Sequence, residues 1–206
     1  MVSKPAFLTS LWWRTHWKMV ITAILFIIFP FIGGSIGGGV VTRAQIDTWY
    51  NLLNRPEWRP PNWLFGPVWA ILYFCMGLGS FLVWKNGRIT DNAEKELENA
   101  GIHPQVCYWS FSNYSKWSIV SLSLYLVNIA LNWAWSPVFF VNHRVKDAFA
   151  LIIVLDVIVL AMIAVSLKVT KGGLLFVPYL IWICFATALN FSIWDLNCDV
   201  PQPQCP

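Results

Sequence analysis

The sequence predicts an all-α fold, a bundle of five membrane-spanning helices forming a single domain of 206 residues. Three observations carry this expectation. First, the chain is 57% hydrophobic and only 12% charged, against about 25% charged in a soluble domain, and its mean hydropathy is +0.57. Soluble packing cannot hide that much apolar surface, so lipid is the expected solvent. Second, five apolar runs are each long enough to cross a hydrocarbon layer of about 30 Å as a helix. Third, the chain carries 14 tryptophans. Some stand at the ends of the runs, where indoles anchor a helix at the membrane interface, but others stand in mid-run and need a different explanation.

The same composition excludes several classes. The net charge of +4 is scattered, with no basic run interleaved with polar residues, so no nucleic-acid partner is expected. His16, His103 and His143 are dispersed and no CxxC occurs, so no metal site and no cofactor are expected. No phosphate-binding glycine loop, nucleophile elbow or pair of intramembrane carboxylates is present. No internal repeat supports a transporter built from inverted halves.

The first eighteen residues are basic and contain Trp12, Trp13 and Trp17. The run from Met19 to Thr42 that follows is too long for the core of a signal peptide and reads as the first span. Gly33 with Gly37, and Gly34 with Gly38, stand four apart on a shared stripe. Small residues at that spacing admit a neighbouring helix closely, which suits packing inside the bundle and also suits a homodimer face. The segment Trp49–Trp63, WYNLLNRPEWRPPNW, cannot be a regular helix. Pro56, Pro60 and Pro61 lack N–H groups and hold their predecessors extended. The result is a stiff loop that loses little entropy on closing over a site, and it leads straight into the second span, Leu64–Trp84, which carries no charge. On that helix Gly66, Trp69, Tyr73 and Met76 share one face.

Residues 85–116 form a polar insert. Its DNAEKELENAG stretch suits either a short amphipathic helix ending near Gly101 or a plain solvated loop, and no chemistry is assigned to it. The third span is expected over Trp117–Phe140, with Asn132 and Trp135 on one face and Pro137 kinking its end. His143, Arg144, Lys146 and Asp147 make a polar turn. The fourth span, Ala148–Leu167, contains Asp156, which is either a functional intramembrane carboxyl or a hydrogen-bonded tie between helices. The fifth, Gly172–Trp194, aligns Trp182, Ala186, Leu189 and Asn190. Cys75 and Cys184 read as buried small hydrophobes. Cys198 and Cys205 fall in a tail, residues 195–206, expected to be disordered; they can pair only in an oxidising compartment. Five spans put the termini on opposite faces, and Lys and Arg favour the N-terminal face. In a bacterial inner membrane that places the N-terminus inside.

Trp69, Trp135 and Trp182 fall at mid-membrane in three different helices. Each indole offers a flat apolar face and one N–H donor. Converging beside the small residues Gly66 and Ala186, under the Trp49–Trp63 loop, they would form a slot for a flat, largely apolar ligand; the plain alternative is packing between helices.

Long composite motifs add a resemblance. WYxxLxRPxWxPPxW at Trp49–Trp63 and GPVWxxLYxxMGxGSxxVWK at Gly66–Lys85 are similar to the first loop and second helix of the translocator protein family, the TspO and peripheral benzodiazepine receptor group. PFIGGSIGG at Pro30–Gly38, LNWAWSPVFF at Leu131–Phe140 and PYLIWICFATALNFSIW at Pro178–Trp194 resemble its first, third and fifth helices. The resemblance implies a five-helix membrane bundle that binds porphyrins or other tetrapyrroles, benzodiazepines and isoquinoline carboxamides. By motif, the family's pocket falls on Gly38, Val41, Phe65, Gly66, Val68, Trp69, Trp135, Trp182, Ala186 and Leu189, to which the spacing argument adds Asn132. The resemblance also implies alternatives. One is a cholesterol or lipid carrier. The other is an enzyme for light-dependent porphyrin breakdown, in which Trp69 and Trp182 would be the catalytic residues. The expected location is the mitochondrial outer membrane in a eukaryote and the plasma membrane in a bacterium. Three departures stand out. The insert near Asp91–Ser115 is longer than usual. Lys146-Asp147 replaces a Gly-Trp pair of vertebrate members. Phe191 and Asp195 occupy the Tyr and basic positions of a proposed sterol motif, which weakens the case for cholesterol.

Overall fold

Helix α2, Asn62–Asn86, is the strut against which the other helices are placed. The computed structural model describes residues 6–36, 45–46, 48–88, 99–101 and 114–198, with side-chain environments from residue 17 onward. Around α2 stand α1 (Ala6–Gly34), α3 (Lys116–Ser136), α4 (Val145–Ser166) and α5 (Val177–Asp195). Five segments are long and apolar enough to cross a membrane: Trp17–Gly34, Asn62–Asn86, Lys116–Val141, Val145–Ser166 and Lys171–Asp195. α1 packs on α2, α2 on α5 and the turn before it, α5 on α4, and α4 on α3, which closes back on α2 and α1. The chain is a multi-pass integral membrane protein. Its outer surface is what a lipid solvent requires: Ile24, Leu25, Ile28 and Ile32 on α1, and Val154, Val157 and Leu160 on α4, are all exposed, so these helices are apolar on both sides.

The helix ends differ from the sequence expectation for identifiable reasons. α1 begins at Ala6, well before Met19, because neither Gly nor Pro interrupts residues 6–29 and a helix need not stop at the membrane surface. α3 passes at Ser136 into a wider π-helical turn, Pro137–Val141. Proline offers no N–H to continue the α ladder. Before α5, Lys171–Phe176 is a tight 3₁₀ turn. Pro178 lies in the first turn of α5 itself, where its missing N–H costs nothing.

Small residues set the closest approach. A Cβ on Gly77 would stand 2.5 Å from both Ile27 Cα and the Phe26 carbonyl oxygen, so only glycine lets α1 and α2 cross there. On α1 itself, Gly33 lies against the Trp133 ring and Gly34 against Tyr73. These two positions of the stripe are therefore covered within the chain; Gly37 and Gly38 lie outside the described residues. The Trp133 indole also donates to the Pro30 carbonyl at 3.2 Å.

Two cysteine expectations are corrected. Cys184 is exposed and Cys75 only half-buried. An apolar solvent gives a small apolar residue no reason to prefer the interior. Cys184 instead approaches Asp156, with Sγ 3.9 Å from Oδ1, while the Thr187 hydroxyl donates to Asp156 Oδ2 at 2.8 Å. Asp156 thus ties α4 to α5, the second of its two expected roles. The base of the 85–116 insert is closed by an antiparallel bridge between Arg88 and Tyr114. Most of the insert, and the tail beyond Cys198, lie outside the described residues.

Candidate functional site

The loop Trp49–Trp63 lies across the face where α5 ends, as alternation of five spans requires. Trp49 stacks on His143, with ring centroids 4.2 Å apart and planes 18° apart. His143 reaches that position through a left-handed backbone turn, φ 56°, between α3 and α4. Tyr50 forms a 3₁₀ turn with Asn51 and Leu52 and meets Phe140 at 5.6 Å. Both Phe139 and Phe140 are buried, displayed by the π-helical turn that Pro137 imposes. Trp58 reaches Phe185 of α5 at 5.7 Å.

A pair of asparagines fastens the far side of the loop. Asn197 Oδ1 accepts from the Asn54 backbone N–H at 3.0 Å, and Asn197 Nδ2 donates to the Asn54 carbonyl at 2.9 Å. One side-chain amide thereby pairs with a backbone residue as a neighbouring strand would. Asn197 Nδ2 also donates to the Ile193 carbonyl at 2.7 Å, which binds the latch to the last turn of α5.

Beneath the loop lies a cavity of about 590 Å³, within the ~300–1,000 Å³ typical of small-molecule sites. Phe65, Gly66, Trp69, Asn132, Trp135, Trp182, Ala186 and Leu189 all line it. Val68 is not among its wall residues but packs on the adjoining core. Gly38 and Val41 lie outside the described residues. Nothing stands within 4 Å of a Cβ built on Gly66, so this glycine leaves open space. It also precedes Pro67, a place where a side chain would crowd the proline ring. The aromatic walls are mutually supported: Phe65 meets Trp182 edge-on at 5.6 Å, and Trp135 stacks on Phe139 at 5.0 Å.

The cavity floor is polar. The Tyr73 hydroxyl donates to Asn132 Oδ1 at 3.0 Å, and Asn132 Nδ2 donates to the Tyr179 hydroxyl at 3.1 Å. This chain crosses α2, α3 and α5. Higher up, the indole N–H groups of Trp135 and Trp182 and Oδ1 of Asn190 are buried with no hydrogen-bond partner. Leaving a buried polar group unpaired costs about 1–3 kcal/mol.

Sequence reasoning missed several wall residues. Tyr73 was visible on the Gly66–Trp69 face but carried no assigned role. Tyr50, Phe139 and Phe140 enter through a 3₁₀ turn and a π turn, whose side-chain directions follow neither a 3.6 nor a 2.0 period. Burial pushes the Tyr50 phenol above its ordinary value near 10; Arg59 and Arg55 oppose that shift without cancelling it.

Comparisons with known proteins agree with this architecture. A family model described as the TspO/MBR family matches residues 26–195. The translocator protein of Bos taurus is 31% identical over 178 residues, covering 86% of this chain and 90% of the relative. The tryptophan-rich protein TspO of Archaeoglobus fulgidus is 32% identical over 170 residues, 82% of this chain and 94% of the relative. The tryptophan-rich sensory protein of Cereibacter sphaeroides is 34% identical over 169 residues, 81% and 89%. A match that spans all five helices and the loop between the first two places the chain in the TspO/MBR family.

Proposed function

We propose that the protein binds a flat hydrophobic ligand, a porphyrin or other tetrapyrrole, in the cavity beneath the Trp49–Trp63 loop. The observation that carries this reading is the shape of the wall. Trp69, Trp135 and Trp182 come from three helices to one space of about 590 Å³, which Gly66 and Ala186 keep free. Large rings beside small residues describe a slot, whereas a packed core would fill that volume. The unpaired indole N–H groups of Trp135 and Trp182 are donors without acceptors. A small rotation of either ring would turn one toward a polar edge of the ligand. Benzodiazepine-like and isoquinoline-carboxamide ligands, also flat and mostly apolar, suit the same slot.

The test is titration of a tetrapyrrole and of a sterol against intrinsic tryptophan fluorescence in detergent micelles. Saturable one-to-one quenching by the tetrapyrrole is expected. Quenching that rises linearly without saturation would contradict the reading. Sterol binding is expected to be the weaker, since Phe191 and Asp195 are exposed on the outer surface and Asp195 offers no cation. Illumination separates binding from degradation: a binder retains its tetrapyrrole, whereas an enzyme consumes more than one equivalent, with Trp69 and Trp182 as the oxidisable groups. The membrane that hosts it is, on this reading, the mitochondrial outer membrane in a eukaryote and the plasma membrane in a bacterium.

A further inference from the structure

The end of the bundle away from the cavity carries a second meeting of aromatic and cationic side chains. Trp117, in the first turn of α3, is 38% exposed, at the end of a span, where an indole anchors a helix at the membrane interface. Two ammonium groups reach its ring. Lys168 Nζ, from the turn that follows α4, stands 4.3 Å from the ring centroid, and Lys116 Nζ, from the first residue of α3, stands 5.2 Å from it. An indole face attracts a cation, but two cations gathered at one indole repel each other, and an anion shared between them turns that repulsion into attraction on both sides. The N-terminus of α3 adds partial positive charge at the same place.

The backbone fixes both lysines. Ser115 caps α3, its hydroxyl accepting from the Ser118 N–H at 3.2 Å. In the turn that carries Lys168, the Lys168 N–H donates to the Val165 carbonyl at 3.1 Å, and the N–H groups of Val169 and Thr170 both donate to the Ser166 carbonyl at 2.9 Å. Asn86 Nδ2 donates to Thr170 Oγ1 at 3.3 Å, which ties the turn to the end of α2. Deeper in the bundle the hydroxyls of Ser121 and Ser166, 2.7 Å apart, hold α3 against α4. Beneath the ammonium groups the surface turns apolar. Val120, one helical turn into the membrane from Trp117, is exposed, as are Leu160 and Leu167 on the α4 side. A free phosphate would meet only the charges, whereas a phospholipid meets the charges and the apolar surface together.

We propose that Lys116, Lys168 and Trp117 form a headgroup site for an anionic phospholipid of the leaflet at the N-terminal face. The phosphodiester accepts from both ammonium groups at the level of the indole, and the acyl chains run down the exposed surface of α3 and α4. Basic residues gathered between spanning helices hold anionic headgroups in this way. The site lies at the opposite end of the bundle from the Trp49–Trp63 loop and does not depend on what the cavity binds.

The experiment is native mass spectrometry of the delipidated full-length protein in detergent, titrated with phosphatidylglycerol and with phosphatidylcholine of the same chain length. Both lipids carry a phosphodiester, but only the first has a net negative charge. The wild type is compared with Lys116→Gln, Lys168→Gln, the double variant and Lys85→Gln, which removes another exposed lysine of the same face. Circular dichroism checks that each is folded. The wild type should take up its first phosphatidylglycerol more tightly than phosphatidylcholine. Each single substitution in the pair should weaken phosphatidylglycerol by about fivefold, the share of one basic residue near an anionic surface, and the double variant by more than either. Lys85→Gln should leave it unchanged, and phosphatidylcholine should bind all five proteins alike. The difference between the lipids should narrow as salt is raised. Millimolar inorganic phosphate should not displace the lipid. A double variant that takes up phosphatidylglycerol as the wild type does would overturn the inference. So would an equal loss in Lys85→Gln, which would mean a diffuse attraction of the whole face, and so would full displacement by inorganic phosphate, which would mean an anion site without a lipid.

Discussion

Two glycines of α2, Gly66 and Gly77, separate the two halves of the bundle. A Cβ on Gly66 meets nothing within 4 Å, whereas one on Gly77 would collide with the backbone of α1 at 2.5 Å. The first glycine borders the cavity and the second closes a helix crossing three turns away. The half around Gly77 is packed solid. Met76, Val83, Val159, Met162 and Phe176 have no exposure, and a buried serine pair, Ser121 and Ser166, joins α3 to α4 at 2.7 Å. The half around Gly66 is held open by rings that brace one another and is covered by a loop fixed through a few side-chain contacts. In a membrane bundle, where lipid offers no hydrophobic drive to close gaps, one half can carry the stability and leave the other free to hold a cavity.

The same one-carbon substitution should therefore behave differently at the two sites. Gly77→Ala is expected to cost at least the ~1–3 kcal/mol of overpacking, seen as a lower melting temperature in detergent. Next in size is the polar floor. Asn132→Leu strands the hydroxyls of Tyr73 and Tyr179, and breaking that chain should cost roughly 1–2 kcal/mol, the upper range of intramembrane hydrogen bonds. Tyr73→Phe removes one donor only and should cost less. A double-mutant cycle between positions 73 and 132 checks that the two losses are coupled.

The loop latch gives an asymmetric prediction. Asn197 works through its side chain, while Asn54 contributes its backbone N–H and carbonyl. Asn197→Leu should therefore speed hydrogen exchange at the Asn54 amide by about tenfold, the loss of a buried hydrogen bond worth ~1 kcal/mol or slightly more. Asn54→Ala should leave exchange there nearly unchanged, since it gives up only the 3.3 Å contact with the Leu196 carbonyl. Equal effects would mean that the latch does not hold the loop. The smallest effect is expected at Gly66→Ala, within about 1 kcal/mol, with the remaining cost coming from the neighbouring Pro67.

Much of this was legible in the sequence. Long apolar runs located the spans to within a few residues for α2 and α4, and three mid-membrane tryptophans on defined faces indicated which sides converge. The Pro-rich segment announced a stiff loop. What escaped was non-periodic. Asn197 lay in a stretch expected to be disordered, and its pairing with Asn54 joins residues far apart in the chain. Tyr50, Phe139 and Phe140 are aimed by 3₁₀ and π turns. Cys184 was assigned to the interior because composition cannot tell a lipid-facing side from a core-facing one. The different roles of Gly66 and Gly77 depend on what stands opposite each, which no local pattern records.

The central claim, that the space beside Ala186 is the ligand site, is tested most directly by Ala186→Phe. Ala186 lines the cavity next to the wall formed by Trp182, and a phenyl ring there occupies the slot without replacing any hydrogen-bonded residue. Fluorescence titration of protoporphyrin IX, with circular dichroism as the control for folding, should show a variant that keeps its helix content and melting temperature while losing at least about a hundredfold in affinity, the order expected when a ligand must overcome a ~3 kcal/mol overpacking penalty. A folded variant that binds the porphyrin as the wild type does would contradict the account and leave the three tryptophans as packing between helices.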